Sequence, residues 1–212
     1  MTAVLMISLL LPGTLAACSR SIEHHLQMAS DYFGDNNYEQ AVVEYSKAIE
    51  LNPDNETAKI AYTFRGYSYY DLGQYDLAIP DFLKVMEMDS TNMTIRQHLG
   101  DSYYKTGQYN LAIAEFTKMI EIDPKYSPYI YDNRGLVYYT QQNYQLAIED
   151  FTKAVTQFSG DALGYSRRAD AYIATGQTDL AIADLRKTIS IAEDSTLKQS
   201  AQDRLASLGV SG

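Results

Sequence analysis

The chain has 212 residues, 46% apolar and 21% charged, with only 12 glycines and 5 prolines, a composition that excludes disorder, collagen and a linker-rich layout. Its length allows one domain or at most two small ones. Acidic side chains outnumber basic ones by 27 to 17, for a net charge of −10, so a nucleic-acid backbone is repelled rather than gathered.

From Ala3 to Leu11 the chain reads AVLMISLLL, followed by Pro12-Gly13 and then Leu15-Ala16-Ala17-Cys18. An apolar run, a turn and a small-residue site form the order of a signal peptide, and nine apolar or small residues are too few to span a bilayer. Cys18 is the only cysteine, which excludes an intramolecular disulfide framework and a cysteine-based zinc site. The string Leu15 to Cys18 resembles the bacterial lipobox, which implies a mature chain beginning at an acylated Cys18 with sorting to the outer membrane. The n-region, Met1-Thr2, carries no positive charge. The alternative reading is an apolar helix packed on the domain, with a free thiol at Cys18.

Five segments then repeat one pattern. Their alanines, Ala41, Ala78, Ala112, Ala147 and Ala181, stand 37, 34, 35 and 34 residues apart. Twelve residues before each alanine is a small residue, Ala29, Gly66, Gly100, Gly135 or Ala169; nine before it is Tyr32, Tyr69, Tyr103, Tyr138 or Tyr172. Small residues let two helices approach and the tyrosine fills the space beside them. Pro53 and Pro124 stop helices, and Ser127-Pro128 opens one. The pattern predicts helix pairs over 22–35 and 38–51, 57–72 and 75–88, 93–106 and 109–122, 128–141 and 144–157, and 162–175 and 178–192. A last helix over 195–208, with Leu197, Ala201, Leu205 and Leu208 on one face, serves as a cap. Glu56 to Ala58 are extra, lengthening a helix or its loop, and Pro80 is cheap if it falls in a first turn. Thr178, where other units have Tyr38, Tyr75, Tyr109 and Tyr144, suggests a looser last unit.

These residues resemble the tetratricopeptide repeat, a helix pair of 34 residues with a small residue, a tyrosine, an alanine, an aromatic and a proline at fixed places. The resemblance implies an all-α, right-handed α-solenoid of five helix-pair repeats with a C-terminal capping helix. Its expected layout is a signal peptide over 1–17, a lipidated tether over 18–21, repeats at about 22–55, 56–92, 93–126, 127–161 and 162–193, and the cap and tail over 194–212.

Catalytic chemistry finds no footing. His24 and His25 are adjacent and point apart on a helix, and no HExxH, nucleophile elbow or phosphate loop occurs. No cofactor, metal or small-molecule substrate is expected. Arg65, Arg134 and Arg168 each stand sixteen residues before Asp81, Asp150 and Asp184, while units with Met28 and Leu99 in the arginine's place hold Glu44 and Glu115. Ion-paired struts inside each unit are one reading; a phosphate or carboxylate receptor is the other.

Of the 19 tyrosines, six have no framework place. In the family the resemblance names, residues eight, eleven, fifteen and eighteen before the alanine face the concave groove. There fall Tyr67, Tyr70, Tyr104, Tyr129 and Tyr139, with Phe33 and Ile60 beside them and Asp71, Asp101, Asp132 and Asp170 around them. For Tyr70, Tyr104 and Tyr139 a core role stays open. The lysine and asparagine clamp of related cochaperones is absent; Leu26, Ser30, Phe64, Thr94 and His98 occupy its places. Together the resemblances imply a noncatalytic, membrane-anchored adaptor or scaffold of the bacterial cell envelope, lipid-anchored and facing the periplasm, which binds a protein or peptide partner. The alternatives are a glycan-binding envelope protein or a noncatalytic subunit of an assembly for outer-membrane protein insertion, a pilus secretin or a cell-wall hydrolase.

Overall fold

The computed structural model describes residues 12–51, 53–123 and 128–210. Among the described residues lie eleven helices and no strand: α1 (Pro12–Gly34), α2 (Tyr38–Glu50), α3 (Asn55–Asp71), α4 (Tyr75–Met88), α5 (Met93–Lys105), α6 (Tyr109–Ile122), α7 (Pro128–Thr140), α8 (Tyr144–Gln157), α9 (Ala162–Ala174), α10 (Thr178–Ile191) and α11 (Ser195–Ser207). The chain divides into two compact units, one ending at Ile95 and one starting at Arg96. In the first, α1 pairs with α2 and α3 with α4, and α3 lies on both α2 and α1. In the second, α7 pairs with α8 and α9 with α10, α7 lies on α6, α9 on α8, and α11 covers α10. This is the all-α arrangement of consecutive antiparallel helix pairs.

One turn closes every pair. The residue five before the repeat alanine is left-handed: Asn36 (φ 58°), Gly73 (72°), Gly107 (76°), Gln142 (62°) and Gly176 (73°). The next amide reaches back to the carbonyl of the tyrosine nine before the alanine, as Gln74 does to Tyr69 and Asn143 to Tyr138, at 2.8 and 2.9 Å. That bond turns the chain sharply at the helix end. Glycine takes the left-handed region freely and asparagine tolerates it; a glutamine there carries strain.

The repeat's small residue marks a close helix approach. A β-carbon added at Gly66, Gly100 or Gly135 would meet the ring of Phe82, Phe116 or Phe151 at 2.7, 2.8 and 2.9 Å. Where the small residue is alanine, as at Ala29 and Ala169, the residue sixteen further on is Tyr45 or Leu185 instead. The cores follow from this seam. Ala29, Ala41, Tyr45 and Ala61 cluster in the first unit; in the second, Ala169, Ala181 and Leu185 continue into Ala201 and Leu205 of α11, which covers the last pair.

One local expectation changes and two open ones are settled. Helix α1 starts at Pro12 rather than residue 22, so Cys18 to Ser21 are helical and not an extended tether. Between Gly13 and Gly34 there is no glycine or proline to interrupt it, and the Ser19 hydroxyl donates to Glu23 one turn on. Residues 1–11, the core of the expected signal segment, lie outside the described residues, as do the side chain of Cys18 and residues Pro124 and Ser127. The extra residues Glu56 to Ala58 lengthen the helix: α3 has 17 residues against 13 in α5, α7 and α9. Pro80 is the sixth residue of α4, past the first turn, so the carbonyl of Asp76 loses its helical donor.

Candidate partner-binding face

Each arginine strut joins the two helices of one pair. Arg65 donates Nε to Asp81 Oδ2 at 2.8 Å and Nη2 to Oδ1 at 2.7 Å; Arg134 and Asp150, and Arg168 and Asp184, repeat the two-bond geometry at 2.7–2.8 Å. The remaining nitrogen, Nη1, donates to a hydroxyl on the second helix of the preceding pair: Ser46 at 3.0 Å, Thr117 at 2.9 Å and Thr152 at 3.2 Å. Tyrosine rings flank the guanidinium, Tyr165 and Tyr172 both lying within 5.6 Å of Arg168. Burial pushes the carboxyls of Asp81 and Asp150 upward, and the guanidinium bonds pull against it. Every guanidinium nitrogen of the three struts thus has a protein partner, with the two-bond face spent on the aspartate rather than on a phosphate or carboxylate ligand.

Units without that arginine carry a substitute one helical turn earlier. Arg96 Nη1 donates to Glu115 at 2.6 Å, and His25 Nδ1 lies 2.6 Å from Glu44, which also takes Lys47 at 2.7 Å. Both bases stand sixteen residues before the repeat alanine, where the arginine-strut units have Tyr62, Tyr131 and Tyr165. The longer glutamate closes the added distance. Its lysine and histidine partners hold the Glu44 carboxyl below its ordinary range, against the effect of burial.

The aromatic residues eight and three before the alanine pair with each other in the first four repeats: Phe33–Tyr38, Tyr70–Tyr75, Tyr104–Tyr109 and Tyr139–Tyr144, with centroids 5.2–6.0 Å apart. Such contacts hold each first helix to its second. The last repeat has Ile173 and Thr178 at both places. Among the expected groove residues, Tyr67 is half-buried between Phe64 and Phe82, and Tyr139 packs against the cluster of Ala147, Ile148, Phe151 and Ala171. Tyr70 and Tyr104 are half-buried, Phe33 joins Phe64 edge-on, and Ile60, Tyr129 and Asp71 are exposed. Tyr129, 52% exposed, meets Phe158 edge-on.

Within the second unit the first helices are bridged in sequence. Asn133 donates to Asp101 at 3.5 Å and Tyr104 meets Thr140 at 3.4 Å, joining α5 to α7. Arg167 pairs with Asp132, joining α7 to α9. Arg204 reaches Asp170 at 3.1 Å and the Ser166 hydroxyl at 2.8 Å, joining α9 to α11. This corrects the reading of Asp132 as part of an open acidic face: it is 4% exposed and held by Arg167. Burial pushes it up to about 6, and likewise Asp101. The bridge escapes sequence inspection because its partner lies 35 residues away on the next first helix.

Among the described residues no group of three His, Cys, Asp or Glu side chains is placed to hold a metal ion, and no helix is long and apolar enough to cross a membrane.

Models of the TPR repeat match residues 66–107 and 100–142, and models of the tetratricopeptide repeat match 128–161, 25–55 and 162–195. Among curated proteins, human (Homo sapiens) serine/threonine-protein phosphatase 5 is 38% identical over 78 residues, 37% of this chain, and the Rattus norvegicus protein 41% over 61 residues, 29% of this chain. The matched stretches cover only 15% and 12% of those two proteins. A crystal structure of MamA superposes with a TM-score of 0.72 at 20% identity, over 92% of this chain and 98% of that one. YrrB, a TPR protein with an unusual peptide-binding site, superposes with 0.71 at 23% identity, over 88% and 98%. At these identities the likeness is one of fold.

Proposed function

The chain belongs to the tetratricopeptide-repeat family, and from that premise we propose that it is a noncatalytic adaptor which holds a segment of a partner protein on the first helices of its second unit. The observation that carries this reading is the division of labour among the side chains. The arginine struts, the left-handed turns and the glycine–phenylalanine seams account for the fold, while in the second unit Tyr129 stays exposed and Tyr104 stays half-exposed beside its partner Tyr109. Tyrosine suits such a face, offering contact area at low entropy cost and a polar tip that water accepts when nothing is bound. The peptide-binding site of YrrB, a protein of the same fold, supports the same reading.

The adaptor is tethered to a membrane of the cell envelope by a lipid on Cys18, on the outer membrane facing the periplasm. The lipobox-like string Leu15 to Cys18 supports this. With α1 helical through Cys18, a chain cleaved there starts directly in the first helix, which keeps the repeats close to the bilayer.

Two measurements test the two halves separately. A photo-crosslinking residue at Tyr129 should capture a partner from envelope fractions, and Tyr104→Ala with Tyr129→Ala should abolish association with that partner while helicity stays close to wild type and Tm falls only modestly, by the loss of the Tyr104–Tyr109 contact. Capture that survives in the folded double variant ends the face reading. Cys18→Ser should release the protein from membranes; unchanged mature mass and membrane association end the lipid reading.

A further inference from the structure

Two aspartates occupy the same repeat position, eleven before the alanine, in the second unit: Asp101 on α5 and Asp170 on α9. Asp170 receives a guanidinium from the next helix of the stack, Arg204 at 3.1 Å. Asp101 receives from its next helix only the amide of Asn133, at 3.5 Å. Asn133 and Arg167 also share a position, fourteen before the alanine, and each reaches back to an aspartate of the preceding first helix, Arg167 to Asp132 with a charge and Asn133 to Asp101 with a neutral amide. Among the described residues no basic side chain forms an ion pair with Asp101. Lys105, one turn along α5, holds its ammonium over the Tyr104 ring at 5.9 Å.

We propose that Asp101 is the receptor for an arginine side chain of the bound partner, taking the guanidinium that Arg204 supplies to Asp170. This rests on the adaptor reading and names the chemistry of what the face holds. Asp101 is sheltered, and although His98 and Lys105 lie near enough to favour its charge, burial outweighs them and neither forms a direct ion pair with it. A cation from outside that pairs directly relieves the remaining cost. Burial has already pushed Asp101 up to about 6, so an arriving cation also drives off a proton near that pH. Tyr104 lies one turn from Asp101 on the same helix and is half-buried, and a planar guanidinium, with its fork of donors, matches the carboxylate. The partner segment is therefore basic at this point, in keeping with a chain of net charge −10.

The probes are Nα-acetyl-arginine N-methylamide and its citrulline counterpart, which has nearly the same shape and no charge, added to the whole protein labelled with ¹³C at the aspartate carboxyls. The arginine compound should lower the titration midpoint of Asp101 by half a unit or more at saturation and shift its resonance, while Asp71 and Asp170 stay unmoved. The citrulline compound should do neither. Asp101→Asn, which removes a sheltered charge and so should fold at least as stably as wild type at pH 7, should lower the affinity for the arginine compound at least fivefold. No response at Asp101, an equal response to citrulline, or unchanged affinity in the Asp101→Asn protein each overturns the proposal. A partner crosslinked at Tyr129 as efficiently in the Asp101→Asn protein as in wild type also ends it, and leaves the adaptor reading standing.

Discussion

The ring of Phe151 lies so close to the backbone of Gly135 that a β-carbon on the glycine would meet two ring atoms at 2.9 Å. In the last repeat the same two places hold Ala169 and Leu185. Gly135→Ala should therefore destabilise by about 1–3 kcal/mol, the usual cost of overpacking, although alanine is the better helix former. Adding Phe151→Leu should recover part of that loss. Chemical denaturation of the two variants checks this; an additive double variant would sink the account.

Removing one member of a strut leaves the other buried without its counter-charge. Arg134→Ala should cost about 3–5 kcal/mol, because Asp150 stays 5% exposed and Thr117 loses its donor. Arg134→Lys should recover little, since a single ammonium cannot reproduce the paired bonds. A lysine variant as stable as wild type would show that charge alone matters there.

Pro80 stands in the second turn of α4 and is exposed. Pro80→Ala restores the amide that the Asp76 carbonyl lacks and should stabilise by about 1–3 kcal/mol. The corresponding residues Ala114 and Ala183 already occupy this place in other repeats. Melting temperature is a sufficient readout, and a fall in it would mean the ring packs on something that alanine cannot replace.

Asp101 couples stability to pH. Burial pushes its folded carboxyl from the ordinary 3.8 up to about 6, so the folded state binds the proton more tightly than the unfolded chain. The resulting penalty is present in full above about pH 6 and is relieved as pH falls toward 4. Asp101→Asn should raise stability at pH 7.5 by roughly 1–2 kcal/mol, after allowance for partial exposure. It should also reduce the slope of stability between pH 4 and 6, part of which remains with Asp132. An unchanged slope would place the titration elsewhere.

The helices were legible because each alanine carries its partners at fixed distances: apart from the start of α1, every helix begins and ends within two residues of expectation. The struts were visible as matched residues sixteen apart. What stayed hidden depends on geometry between repeats. The pairs His25–Glu44 and Arg96–Glu115 are nineteen apart, one turn outside the spacing of the regular strut, and the clue was a base where other repeats have tyrosine. The hydroxyl partners Ser46, Thr117 and Thr152 look like ordinary surface residues until the arginine of the next pair is seen to reach them. Asp132 reads as an exposed acid for the same reason.

That third arginine bond has a bearing on ancestry. A complete strut begins at a hydroxyl on one second helix and ends at the aspartate on the next, spanning 46–81, 117–150 and 152–184. The segment that copies intact by tandem duplication is therefore offset by half a unit from the helix pair. A crossover cut between helix pairs separates an arginine from its hydroxyl. One cut within a second helix, ahead of that hydroxyl, carries the whole device, and chimeras spliced in that frame should inherit their neighbour's register without further repair.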